Sequence, residues 1–310
     1  MIIKINDIYN LFIEFSALLN HNILSEKEKN NGLLPSYFIN IPTKYDVLDE
    51  LNTLGYKKVI IKEFTYKKLP LCLEGIARSM KNIGMYTEDT YNLVCASDLK
   101  DKKLNIYKTS VDLDDESYEI GRIRLFSKGW LERESTFLHM DYKYLLGLLK
   151  AKLYKQYFDE IKTNFVPFMD PDIYGRSPLE NVSFIVPSNH PDKTMHGSGQ
   201  YARLTGANSE VIDMFYLLAV GDKLFKYENN ELILNIKPKF SKEFFDEKKQ
   251  ITFPLFNDVV VTIQNDDLID AYDATSFEYE IDNVVYKEIK NDLAKSIRDK
   301  KINYLKVIIH

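Results

Sequence analysis

The hydrophobic period of the chain changes once, near residue 222, and that change restricts the fold more than any single motif. Before it, apolar residues recur at helical spacing. In "ANSEVIDMFYLLAVG", Val211, Met214, Phe215 and Leu218 follow i, i+3, i+4, i+7, and Gly221 ends the run. After it, "ELILNIK", "DVVVTIQ", "SFEYEI" and "YLKVIIH" are β-branched or aromatic runs with partial alternation. One helical pattern, "NDLAKSIRDK", interrupts them. The expectation is a mainly α protein with a β C-terminal region: a helical body over 1–222 and a mostly antiparallel β-rich domain over 223–310.

Within the body, helices are predicted over 5–20 and over 44–54, the second after Thr43 with Asp46 three residues on. "VIIKEF" at 59–64 reads as a strand or a buried extended segment. "PLCLEGIARSMKNIG" at 70–84 starts with proline and stops at glycine, as helices do. "YTEDTYNLVCAS" is helical with Thr87 as its cap. The longest helical pattern, 135–165, is expected to break near Gly147 or Lys150–Lys152. Residues 166–193 then hold five of the ten prolines, and Phe168, Tyr174, Phe184 and Ile185 argue that this long loop is ordered.

A formal charge of −5 excludes the basic footprint of a nucleic-acid binder. Two cysteines, Cys72 and Cys95, make neither a disulfide framework nor a zinc site, and a reducing cytoplasm is the simplest compartment. The apolar start "MIIKINDIYNLFIEFSALL" is broken by Asn6, Asp7 and Glu14, so it reads as a buried amphipathic helix and not as a signal peptide or a membrane span.

Four clusters are candidates for chemistry, the first of them also readable as a buried tryptophan beside a polar helix cap. "GWLERESTFLHMDY" holds the only tryptophan, Glu132, Glu134 and His139 at a helix start. "DPDIYGRSPLENVSF" places Arg176 near Glu180, which suits either an internal ion pair or a sugar or phosphate. His190 and His196 in "SNHPDKTMHG" lack the further ligands of a metal site, so no metal is expected. "HGSGQYARLTGANSE" puts Thr205 and Gly206 directly before an amphipathic helix, where backbone N–H groups can hold an anion or the pair can simply turn the chain.

In this order, "EIGRIRLFSKGWLERESTFLHMDYKYLLGLL", "PFMDPDIYGRSPLENVSFIV" and "HGSGQYARLTG" resemble the C-terminal part of the inverting glycoside phosphorylases of the cellobiose and chitobiose phosphorylase family, glycoside hydrolase family 94. The β-1,2-oligoglucan phosphorylase branch is the nearest in pattern. The resemblance runs from "GLLPSYF" to "LAKSIRDKKINYLKVII". It implies the late part of an (α/α)6 barrel, with a substrate and phosphate loop region at 166–206, followed by a small antiparallel β domain. It implies cleavage of a β-glucosidic bond by inorganic phosphate, the co-substrate in place of any cofactor, to give a sugar 1-phosphate with inversion. His139 matches the family's phosphate-binding histidine, and Thr205–Gly206 match its Thr-Gly pair, 66 residues on. Glu180 matches a carboxylate facing the acceptor sugar, flanked by Arg176 and Asn181.

The resemblance also implies that the general-acid aspartate and a phosphate-binding arginine belong to a part upstream of Met1. Asp46 and Glu50 lie on a predicted helix and are no substitute, and Arg133 stands where relatives carry a small amide. The expected partners are therefore a β-glucan oligosaccharide, phosphate, and either the N-terminal half of the enzyme or a second copy. Nucleic acid and membrane are not expected. The alternatives are an inactive carbohydrate-binding or interaction remnant, and a hydrolase using Glu132, Glu134 or Glu180.

Overall fold

A computed structural model of the chain describes residues 4–80, 86–202 and 206–310. The N-terminal periodicity becomes α1 (Ile5–Lys29), but the helix is not the buried one expected: none of its residues is buried. A long antiparallel hairpin follows, β1 (Phe38–Leu51) on β2 (Lys57–Lys68). The helix expected over 44–54 is thus a strand and its turn. Pairs of opposite charge face each other across the ladder: Lys44 meets Glu63 at 3.0 Å, Asp49 meets Lys57 at 3.1 Å, Glu50 meets Lys58 at 2.8 Å, and Asp46 pairs with Lys62. The Asn52 side chain accepts from the N–H groups of Leu54 and Tyr56, and Gly55 takes φ +83°, which closes the turn.

Next come α2 (Leu73–Ser79) and α3 (Glu88–Ala96). Thr87 caps α3 by accepting from the Thr90 N–H, as its sequence implies, whereas the Gly84 stop lies outside the described residues. Two-residue ladders link the irregular region: β3 (Lys100–Asp101) pairs with β4 (Ile106–Tyr107). After β5 (Thr136–Phe137), α4 (Leu138–Lys150) and α5 (Tyr154–Asn164) are separated at Ala151–Leu153, with Lys152 at φ +63°. This is the break expected near Lys150–Lys152. The proline-rich loop is ordered by α6 (Pro171–Tyr174), β6 (Phe184–Ile185) and β7 (Gly199–Gln200), and α7 (Gly206–Val220) ends at Gly221 with φ +85°.

The β-rich region holds β8 (Phe225–Glu228), β9 (Glu231–Leu234), β10 (Gln250–Leu255), β11 (Val259–Gln264), β12 (Phe277–Ile281), β13 (Val284–Tyr286), β14 (Ile289–Lys290), α8 (Asn291–Arg298) and β15 (Tyr304–Ile309). Its main sheet has the order β10-β11-β15-β12-β13 and is mixed, because β15 runs parallel to β11 and antiparallel to β12. Val259, Val261 and Ile263 with Leu305, Val307 and Ile309 form its buried face. The chain divides into two compact units, Met1–Leu153 with Asp159–Asn208, and Tyr154–Phe158 with Ser209–His310.

These elements overturn the expected fold class. Eight α-helices and fifteen strands in five small sheets, counted among the described residues, make a mixed α/β protein and not a mainly α one carrying part of an (α/α)6 barrel. The short ladders escape any periodicity argument, since two residues show no period. Among the described residues no helix is long and apolar enough to cross a membrane.

The core of the first unit is built on α4. Leu138, Tyr142, Tyr144, Leu145, Leu148 and Leu149 are buried almost completely, each worth about 1.5–3 kcal/mol of transfer free energy for a fully buried apolar side chain. Gly147 is required by α4's neighbour: a Cβ there would come 2.6 Å from Met80 Sδ. Beside this core lies a buried polar knot. Glu160 accepts from Tyr91 Oη at 2.6 Å, Tyr107 Oη at 2.8 Å and Asn164 Nδ2 at 3.0 Å, and it pairs with Lys100. Asp141 is fully buried, with neither carboxyl oxygen hydrogen-bonded, and burial holds its carboxyl well above the usual range.

Candidate functional site

The three-stranded sheet β5-β6-β7 brings distant stretches of the chain together. Phe137 pairs with Phe184 and Ile185 with Gly199, and the Ser183 N–H bonds to Tyr201 O at 2.8 Å. His139 follows β5, Asn181 precedes β6, and Tyr201 and Gly206 follow β7. Antiparallel pairing therefore gathers them at one end of the sheet.

His139 and Gly206 meet there. A Cβ at position 206 would lie 2.5 Å from His139 Nδ1 and 2.6 Å from Cε1, so only glycine lets the first turn of α7 reach the imidazole. Helix N-terminal N–H groups carry a partial positive charge that suits an anion. Asn181 is locked beside them, accepting from Tyr142 Oη at 3.0 Å and donating to Asn208 in the same helical turn. Thr205 lies outside the described residues. Arg176 and Glu180 form the internal pair that their spacing allowed, at 3.3 Å, and Arg176 Nε also donates to Gly199 O. Arg176 thereby ties the loop that follows α6 to β7.

A row of rings runs away from His139. Phe137 contacts it edge-on, Phe184 stacks on Phe137 at 5.0 Å between centroids, Tyr201 meets Phe184 and Trp130, and Trp130 reaches His190 at 5.9 Å. Phe184 is buried against Phe137, so it is the Trp130 and Tyr201 end of the row, with Tyr201 half exposed, that offers ring surface to a ligand.

At the far end of the row, Glu132 Oε2, Arg133 Nε, Glu134 Oε1, Ser135 Oγ, Asn189 Oδ1 and His196 Nδ1 are buried and have no hydrogen-bond partner among the described residues. Such orphans are uncommon; Arg133 Nε and Glu134 Oε1 face each other at 4.0 Å as an ion pair, and the other four are what a polar ligand would satisfy. Glu134 is held by Asn189 Nδ2 at 2.7 Å, and His196 Nε2 contacts His190 O at 2.8 Å. Burial pushes the Glu134 carboxyl up, against the opposing pull of Lys108 at 3.8 Å. Leu131 and Glu134 both take left-handed backbone, φ +50° and +55°, a strain that the loop stores around the cluster. Arg133 anchors it by donating to the carbonyls of Arg124 and Phe126 and pairing with Asp114. Glu132 pairs with Arg122 at 2.6 Å.

Asn189, Ser135 and Tyr201 had no role in the sequence reading, and the proline-flanked "PSNHP" is the one signal that marks the first. No family model matches the chain, and no curated protein matches it.

Proposed function

We propose that this chain binds a β-glucan oligosaccharide and inorganic phosphate, as the C-terminal part or subunit of an inverting carbohydrate phosphorylase. The observation that carries the reading is the close approach of the His139 imidazole to Gly206 at the start of α7. Phosphate is held in this reading by the α7 N-terminus and His139, with Thr205 as a further donor. The sugar lies along the ring row toward the orphaned polar atoms of Glu132, Ser135, Asn189 and His196. Attack of phosphate on the anomeric carbon requires a general acid to protonate the departing oxygen, a contribution of about 10²–10⁴-fold. In this reading the acid belongs to the N-terminal part of the enzyme, and turnover without it is poor. A reducing cytoplasm suits Cys72 and Cys95, both free thiols.

The test is production of sugar 1-phosphate from β-glucan oligosaccharides and phosphate, with the chain alone and with a candidate acid-bearing polypeptide. Activity only in the mixture supports the reading. The ring row favours a second reading, an inactive carbohydrate-binding module. Oligosaccharide affinity unaffected by phosphate, with no turnover in either mixture, selects that one.

A further inference from the structure

We infer that the chain self-associates through α1, and the inference stands independently of the carbohydrate site. Ile5, Ile8, Phe12, Phe15 and Leu19 follow the 3-4-3-4 spacing of a helix-pairing seam. They are exposed to 81%, 43%, 67%, 53% and 59%. A helix draws most of its stability from packing an apolar face, yet α1 buries nothing. Its anchors lie at its C-terminal end, where Lys27 Nζ donates to Thr90 and Lys68 Nζ to Lys29 O.

Size and charge select the occupant. The five seam residues expose roughly 600 Å², and Tyr9, Leu11 and Leu18 beside them bring this to roughly 1,000 Å², against the ~800 Å² per partner of a stable interface. A membrane-surface helix is rich in Lys and Arg along its polar face, but α1 has neither between Ile5 and Glu26. Its acids there, Asp7 and Glu14, lie off the seam. An uncharged apolar seam meets a second copy of itself without like-charge repulsion, and the same patch on both subunits makes an isologous two-fold contact.

Sedimentation velocity on the full chain across the micromolar range tests this. A concentration-dependent dimer is expected. Phe12→Glu with Phe15→Glu yields a monomer whose thermal midpoint equals that of the wild type diluted to its monomer, since both side chains are exposed in the single chain, and Glu14→Ala remains dimeric. A wild-type monomer at every concentration overturns the inference, as does a dimer that survives the double change. A monomer that co-sediments with phosphatidylcholine vesicles also overturns it and assigns the face to lipid.

Discussion

The imidazole of His139 fills the space that a side chain on residue 206 would need. Gly206→Ala must therefore move the ring, and the ring is a side chain that can rotate, so the fold survives while the anion site is distorted. Loss of one charge-assisted hydrogen bond is worth about 1.5–3 kcal/mol, or roughly 10–150-fold in phosphate affinity. Titration calorimetry with phosphate checks this. Unchanged affinity removes His139 from the site.

Trp130 is the only tryptophan and sits between Tyr201 and His190, so its emission reports directly on the ring row. A β-glucan oligosaccharide should shift or quench that emission saturably, and Tyr201→Ala should weaken the response by about tenfold, within the ~0.5–1.5 kcal/mol of an aromatic contact. Binding seen by calorimetry with a silent tryptophan would place the sugar elsewhere.

Asp141 makes the protein less stable than it need be at neutral pH. Burial raises its folded-state pKa, so the folded chain keeps a proton that the unfolded chain releases above about pH 3.9. The unfolded state is thereby favoured increasingly as pH rises from that value toward the folded pKa. Asp141→Asn cannot ionise and should raise the melting temperature at pH 8 by roughly 2–8 °C. Melting curves across pH should show the gain shrinking as pH falls toward 4. A gain independent of pH would mean that the carboxyl is not protonated in the fold.

The knot around Glu160 predicts the opposite sign. Glu160→Gln leaves Lys100 buried without its counter-charge and should cost about 3–5 kcal/mol in urea denaturation. Replacing both Lys100 and Glu160 by methionine should recover only part of that loss: the uncompensated charge is gone, but Tyr91, Tyr107 and Asn164 lose their acceptor.

Legibility in the sequence followed the reach of each interaction. The α3 cap at Thr87, the break between α4 and α5 and the stop at Gly221 depend on residues within one turn, and all three can be read from the chain. The hairpin depends on partners such as Lys44 and Glu63, 19 positions apart, so the local pattern around Asp46 and Glu50 reads as helical while their partners on β2 make it a strand. The parallel pairing of β11 with β15 is invisible for the same reason. At the site, the spacing from His139 to Gly206 was readable, but the Glu134–Asn189 contact needs two loops folded over one sheet.

The position of β15 has a kinetic consequence. The hairpins β10–β11 and β12–β13 are local and can close as soon as each is synthesised. They share no ladder with each other, and only the later strand Tyr304–Ile309 joins them. Until that strand emerges from the ribosome, each hairpin presents an unpaired edge lined with valine and isoleucine or tyrosine. Non-local pairing is intrinsically slow, and this interval is when the nascent chain is most exposed to mispairing with its neighbours.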